Sequence, residues 1–132
     1  MNNQYYYENW YRQEKEQILN PEEGLIKGNL FQNLYSEYKN YQPQMINPKT
    51  EEEKMLWKIQ SLSFATHELN LYLDLHPEEQ SMIILFNDYN KELNNIIQEY
   101  EKKYGPLTVN NSMDNYSFTW INPTWPWEGY HV

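Results

Sequence analysis

From Pro77 to Tyr104 the apolar residues of this 132-residue chain keep to one face for seven turns. Met82, Leu85, Phe86, Tyr89, Leu93, Ile96, Ile97, Tyr100 and Tyr104 recur at steps of three and four, the period of an amphipathic helix. Pro77 suits a first helical turn, where its missing N–H costs nothing, and Glu78 and Glu79 place negative charge at the positive end of the helix dipole. Lys102 and Lys103 do the reverse in the last turn, and Gly105-Pro106 ends the helix. Such a rod is about 40 Å long at ~1.5 Å per residue, with one wet side and one side that has to be covered. What covers that side is the functional question.

A second helix precedes it. Thr50-Glu51-Glu52-Glu53 reads as a capping box, after which Leu56, Ile59, Leu62, Ser63, Thr66, Leu69 and Leu73 form a helical stripe, widened by Met55, Phe64, Ala65 and Tyr72. Pro77 disfavours helix at the residue before it, so the chain turns near Asp74-Leu75-His76. Two helices of similar length across a short turn lie antiparallel, as a helical hairpin. Leu56, Ile59, Leu69, Leu73, Phe86, Tyr89, Leu93 and Ile97 are expected to form its seam. Both stripes are wider than one seam requires.

The flanking regions differ in texture. Residues 1–48 are broken by Pro21, Gly24, Gly28, Pro43 and Pro48 and allow two short helical patterns, Tyr7–Leu19 and a weaker Glu22–Tyr38 opened by Asn20-Pro21-Glu22-Glu23. Residues 107–132 carry Tyr116, Phe118 and Trp120 in alternation, which suits a short strand or extended segment, then Trp125-Pro126-Trp127. The fold expected is therefore all-α: an antiparallel hairpin, short N-terminal helices and an extended aromatic C-terminal tail.

Composition removes several functional classes. A net charge of −9 opposes general binding to nucleic acid or anionic membrane. No apolar run approaches a bilayer span and the start lacks a signal-peptide core, so the chain is expected to be made and used without export. The absence of cysteine excludes disulfides, thiolate zinc sites and cysteine nucleophiles. Thirteen Tyr and five Trp suit partly wet contact surfaces, because each carries a polar handle on a large apolar body. An AT-rich coding sequence would give part of the same bias, and oxidative cross-linking of exposed tyrosines is a further reading.

No catalytic set emerges. His67-Glu68 begins like a zincin helix motif, but position 71 is Leu where the second His belongs, so a solvated helix histidine is the simpler reading. A dimetal bundle needs Glu three residues before an inward His; Phe64 and Leu73 stand before His67 and His76, and the one match, Glu128 to His131, lies in the proline-broken tail. Around His76, capping by Asp74 or His76 with Glu78 and Glu79 serving the dipole accounts for the cluster without chemistry. Phosphate loops and nucleophile elbows are missing. No metal or cofactor is expected.

The run Phe64-Ala65-Thr66-His67-Glu68-Leu69-Asn70-Leu71-Tyr72-Leu73-Asp74-Leu75-His76-Pro77-Glu78-Glu79, followed by Tyr104-Gly105-Pro106-Leu107 and Trp125-Pro126-Trp127-Glu128, resembles the CotJB family of bacterial spore coat proteins over about residues 52–132. Residues 22–38, from Glu22-Glu23-Gly24-Leu25 to Ser36-Glu37-Tyr38, resemble the companion CotJA family, without the long proline-rich lead typical of it. The domains expected are a CotJA-like segment, 1–48, and a CotJB-like hairpin with tail, 49–132. The resemblance implies a structural coat component made in the mother-cell cytoplasm and assembled with a manganese-catalase-like coat protein. Leu30, Phe31, Leu34, Tyr35, Trp120, Trp125 and Trp127 are the candidate partner contacts, with packing on their own hairpin the alternative for the aromatics among them. Other readings are a self-assembling dimetal helical-bundle enzyme, a small-molecule or glycan-binding module using the tail tryptophans, and a self-polymerising scaffold.

Overall fold

The computed structural model describes residues 18–34, 39–112 and 116–121. Its first element, α1, is Pro21–Lys27, and each end has a local cause. Asn20 Oδ1 accepts from the Glu23 N–H at 2.9 Å, and Pro21 occupies the first turn. Gly28 then takes φ 78°, a left-handed cap that glycine adopts without strain. The helical pattern expected over Glu22–Tyr38 is thus cut at Lys27. The chain turns back instead: Asn29 Oδ1 accepts from the Phe31 N–H at 2.6 Å, and the Leu19 N–H donates to the Leu30 carbonyl at 3.0 Å. Ile18 and Phe31 close this loop as an isolated antiparallel bridge, so the end of the expected Tyr7–Leu19 helix is extended here; residues 7–17 lie outside the described ones.

Helix α2 runs Glu51–Leu75 behind the complete capping box expected of Thr50 and Glu53. Thr50 Oγ1 accepts from the Glu53 N–H at 3.1 Å, and Glu53 Oε2 accepts from the N–H groups of Thr50 and Lys49 at 3.2 and 2.6 Å. His76 ends α2, its N–H bonded to the Tyr72 carbonyl at 3.1 Å.

Helix α3 is Gln80–Tyr104, which starts three residues beyond Pro77. Pro77 and Glu78 form the turn, and Glu79 stands at the cap position without capping a helix N–H through its side chain, which accepts from the Ser81 hydroxyl at 3.4 Å. Its carboxylate also accepts from the Tyr72 hydroxyl at 2.8 Å, back across the turn. The expected capping of α3 by Asp74 or His76 is therefore replaced by a tie between the two helices.

The helices pack as an antiparallel hairpin, and the chain is all-α as expected. The main core joins Leu30 and Phe31 to Ala65, Leu69 and Tyr72 of α2 and Met82 of α3, with Ile18, Leu73, Leu85, Phe86 and Tyr89 packed around it. Of the expected seam, Ile59 and Leu69 are buried, while Leu56, Leu73, Phe86, Tyr89, Leu93 and Ile97 are half-buried. Ala65, Glu68 and Tyr72, one row around α2, serve a second contact: the Phe31 ring stacks on Tyr72 at 4.7 Å, the Leu30 N–H donates to Glu68 Oε2 at 3.4 Å, and Ala65 shares their core. Helix α2 is covered from two sides, which explains why its apolar stripe is broad. The alternation at 116–120 does not produce a strand; Thr119–Ile121 form a 3₁₀ turn, and the Ser112 and Thr119 hydroxyls lie 3.0 Å apart. An extended segment needs a neighbour to complete its ladder.

Candidate partner-binding surface

The seven candidate contacts do not form one site. Leu30 is fully buried and Phe31 nearly so, both inside the core the N-terminal region shares with the hairpin. In this fold their apolar surface is already used within the chain, the alternative left open for Phe31 and not for Leu30. Burying a Leu or Phe side chain contributes about 1.5–3 kcal/mol each, so a partner could reach them only by opening the core. Leu34 is 52% exposed on the 3₁₀ turn that follows. Trp120 is half-buried in the turn Thr119–Ile121. Tyr35, Trp125 and Trp127 lie outside the described residues.

Other apolar side chains are exposed among the described residues. Phe118 and Ile121 flank Trp120 and are more than half exposed, Leu75 is 80% exposed at the end of α2, and Met45 and Ile46 project from the loop before it. Trp57, Phe64 and Leu71, seven apart on α2, mark a second apolar row away from the seam; Trp57 is buried, Phe64 half-buried and Leu71 exposed. That spacing is legible in the sequence once α2 is allowed two faces.

Helix α3 carries a long half-covered row. Only Met82 near its start and Tyr100 near its end are buried; Leu85, Phe86, Tyr89, Leu93, Ile96 and Ile97 between them are half-buried. Burial pushes the Tyr89 phenol above its ordinary value of 10.0, with the Glu92 carboxylate adding to the shift. Two polar ties hold α3 to α2 along this seam. Lys58 Nζ meets Glu92 Oε1 at 2.6 Å, and the Tyr100 hydroxyl donates to Glu52 Oε1 at 3.0 Å. Beyond the helix, Glu101 gathers the chain that follows: Oε1 accepts from the Leu107 N–H at 2.9 Å, and the Asn111 amide donates to both carboxylate oxygens at 2.9 and 3.0 Å.

His67 is exposed on α2, and its neighbour Glu68 is engaged by Leu30. The His76 ring packs on Tyr72, centroids 4.3 Å apart. Among the described residues no three His, Asp or Glu side chains gather where they could hold a metal ion. No described helix is long and apolar enough to cross a membrane.

Comparison with known families matches residues 53–128 to the CotJB protein family. No curated protein and no solved structure matches the chain.

Proposed function

The chain belongs to the CotJB family of spore coat proteins, and from that footing we propose that it is a non-enzymatic assembly subunit of the coat, an adaptor for a manganese-catalase-like coat protein. Location in the spore coat follows from the family; synthesis in the mother-cell cytoplasm belongs to the proposal. The observation that carries it is the half-covered α3 face together with Leu34, Phe118, Trp120 and Ile121, apolar surface a monomer has no use for. Nothing in the placement of histidines and carboxylates among the described residues supports the dimetal reading. We read residues 1–48 as a CotJA-like segment docked on the CotJB-like hairpin 49–132 through Leu30 and Phe31, with Leu34 and Trp120 facing the partner.

The test is capture of the tagged full chain from sporulating cells, with bound proteins identified and metal measured on the chain purified alone. The reading expects a manganese-catalase-like protein in the capture, lost when Leu34→Glu is combined with Ile121→Glu. Manganese or iron held stoichiometrically by the isolated chain would overturn it, as would capture indifferent to those substitutions.

A further inference from the structure

The residues that complete the core come from outside the hairpin. Leu30 and Phe31 share it with Ala65, Leu69 and Tyr72 of α2 and Met82 of α3, and those four all lie within the family-matched stretch 53–128. The inserted pair belongs to a unit that holds itself together. The Leu19 N–H donates to the Leu30 carbonyl, Ile18 bridges Phe31, and the Tyr41 hydroxyl donates to the Ile26 carbonyl at 2.6 Å. Residues 18–34 with Tyr41 are thus a plug, and the hairpin carries its socket.

What joins the two is sparse. Glu68, which receives the Leu30 N–H, stands eighteen residues beyond Thr50 on α2, so the chain travels back ~27 Å along the helix before entering it. On the way, residues 42–48 make no hydrogen bond to any described residue, and all but Pro48 are exposed. Bonding resumes at Lys49, whose N–H donates to Glu53 Oε2. Pro43 and Pro48 favour extended backbone, and a stretch of this length spans up to ~25 Å. Within it Met45 and Ile46 are 83% and 55% exposed, two large apolar side chains given to solvent.

We propose that residues 42–48 are a hinge across which the plug passes to a second copy of this chain, Leu30 and Phe31 of one copy filling the socket of the other. The exchange reproduces each contact of the closed chain, so plug and socket lose nothing by it. It adds one contact the closed chain lacks: the two hinges cross, and Met45 and Ile46 of each copy cover those of the other. Each copy has one plug and one socket, so reciprocal exchange closes a dimer and one-way exchange runs on as an open chain. The inference does not depend on the coat partner and leaves the α3 face as it is, so either reading survives failure of the other.

Sedimentation of the full chain, from micromolar up to about millimolar concentration, tests it. A dimer should form at the upper end. Met45→Ser with Ile46→Ser, at exposed positions outside the core, should weaken that dimer roughly tenfold and leave the monomer's helix content unchanged. Two core variants identify the contact. A copy without its plug, Leu30→Ala with Phe31→Ala, and a copy with its socket filled, Ala65→Trp, should each remain monomeric alone and form a 1:1 dimer when mixed. Adding Leu30→Ala and Phe31→Ala to the filled copy should abolish the mixed dimer. A chain monomeric at every concentration overturns the proposal, as does a mixed dimer that survives loss of both plugs, which would put the association on another face. An unmodified dimer that Met45→Ser with Ile46→Ser does not weaken overturns it too, whether or not the core variants keep their helices.

Discussion

Tyr100 and Glu52, 48 positions apart in the chain, meet at the open end of the hairpin, where the phenol donates to Glu52 Oε1 at 3.0 Å. Glu79 and Tyr72 make the equivalent tie at the turn, at 2.8 Å. Each end of the α2–α3 pair is thus pinned by a tyrosine hydroxyl on a carboxylate. Between the pins the seam is half-open.

Tyr100→Phe retains the nearly buried ring and removes one bond to a charged acceptor. Chemical denaturation should record a loss of about 1–2 kcal/mol. The faster hydrogen exchange should concentrate in residues 51–54 and 99–104, with the turn end unaffected. Uniform acceleration along both helices would contradict the pin.

Phe31→Ala empties a ring stacked on Tyr72 with 21° between the planes. The expected loss is about 3–5 kcal/mol, with Phe31→Leu costing well under half of that. A stability change below 1 kcal/mol for the alanine variant would mean that the N-terminal region is not part of the core.

Gly24→Ala sets two effects against each other. Alanine gains about 0.5–1 kcal/mol of helix propensity in α1. Its Cβ would stand 3.2 Å from Leu30 Cδ1 and 3.4 Å from Leu30 Cα, and Leu30 is fully buried, so it would have to shift within the core by a few tenths of an ångström. Crowding should win by about 1–2 kcal/mol. Combined with Leu30→Ala the same change should cost less than it does alone, a coupling that a double-mutant cycle reads directly.

Glu53 gives the fold an acid limb. The Lys49 and Thr50 N–H groups hold its carboxyl below the ordinary value of 4.5. A group depressed on folding contributes stability fully present above its unfolded value and lost as pH falls through the folded one. The α2 N-terminus should therefore loosen below about pH 4.5, seen as earlier exchange at residues 51–54. Glu53→Gln keeps an acceptor but not the charge and should flatten that dependence.

Much of the hairpin was legible because its signals are local. The Thr50–Glu53 box, Lys102 and Lys103 in the last turn, and Gly105 after it mark ends that short-range bonding fixes. The start of α3 was misplaced by three residues because Glu79 bonds across the turn to Tyr72, a contact no local pattern announces. Leu30 was expected at a partner and Phe31 was open between core and partner contact, since a helix stripe does not reveal how many neighbours it has. The burial of Ala65 gave the second neighbour away only in three dimensions.

The stacking of Phe31 on Tyr72 joins the two regions as an interface between separate proteins would, yet residues 32–50 tether them. A tether of that kind sets a local concentration on the order of millimolar, so even a contact too weak to assemble two dilute chains stays closed. Cut the tether, and the same Leu30 and Phe31 would have to find the hairpin by diffusion, with occupancy set by how much of each piece the cell makes.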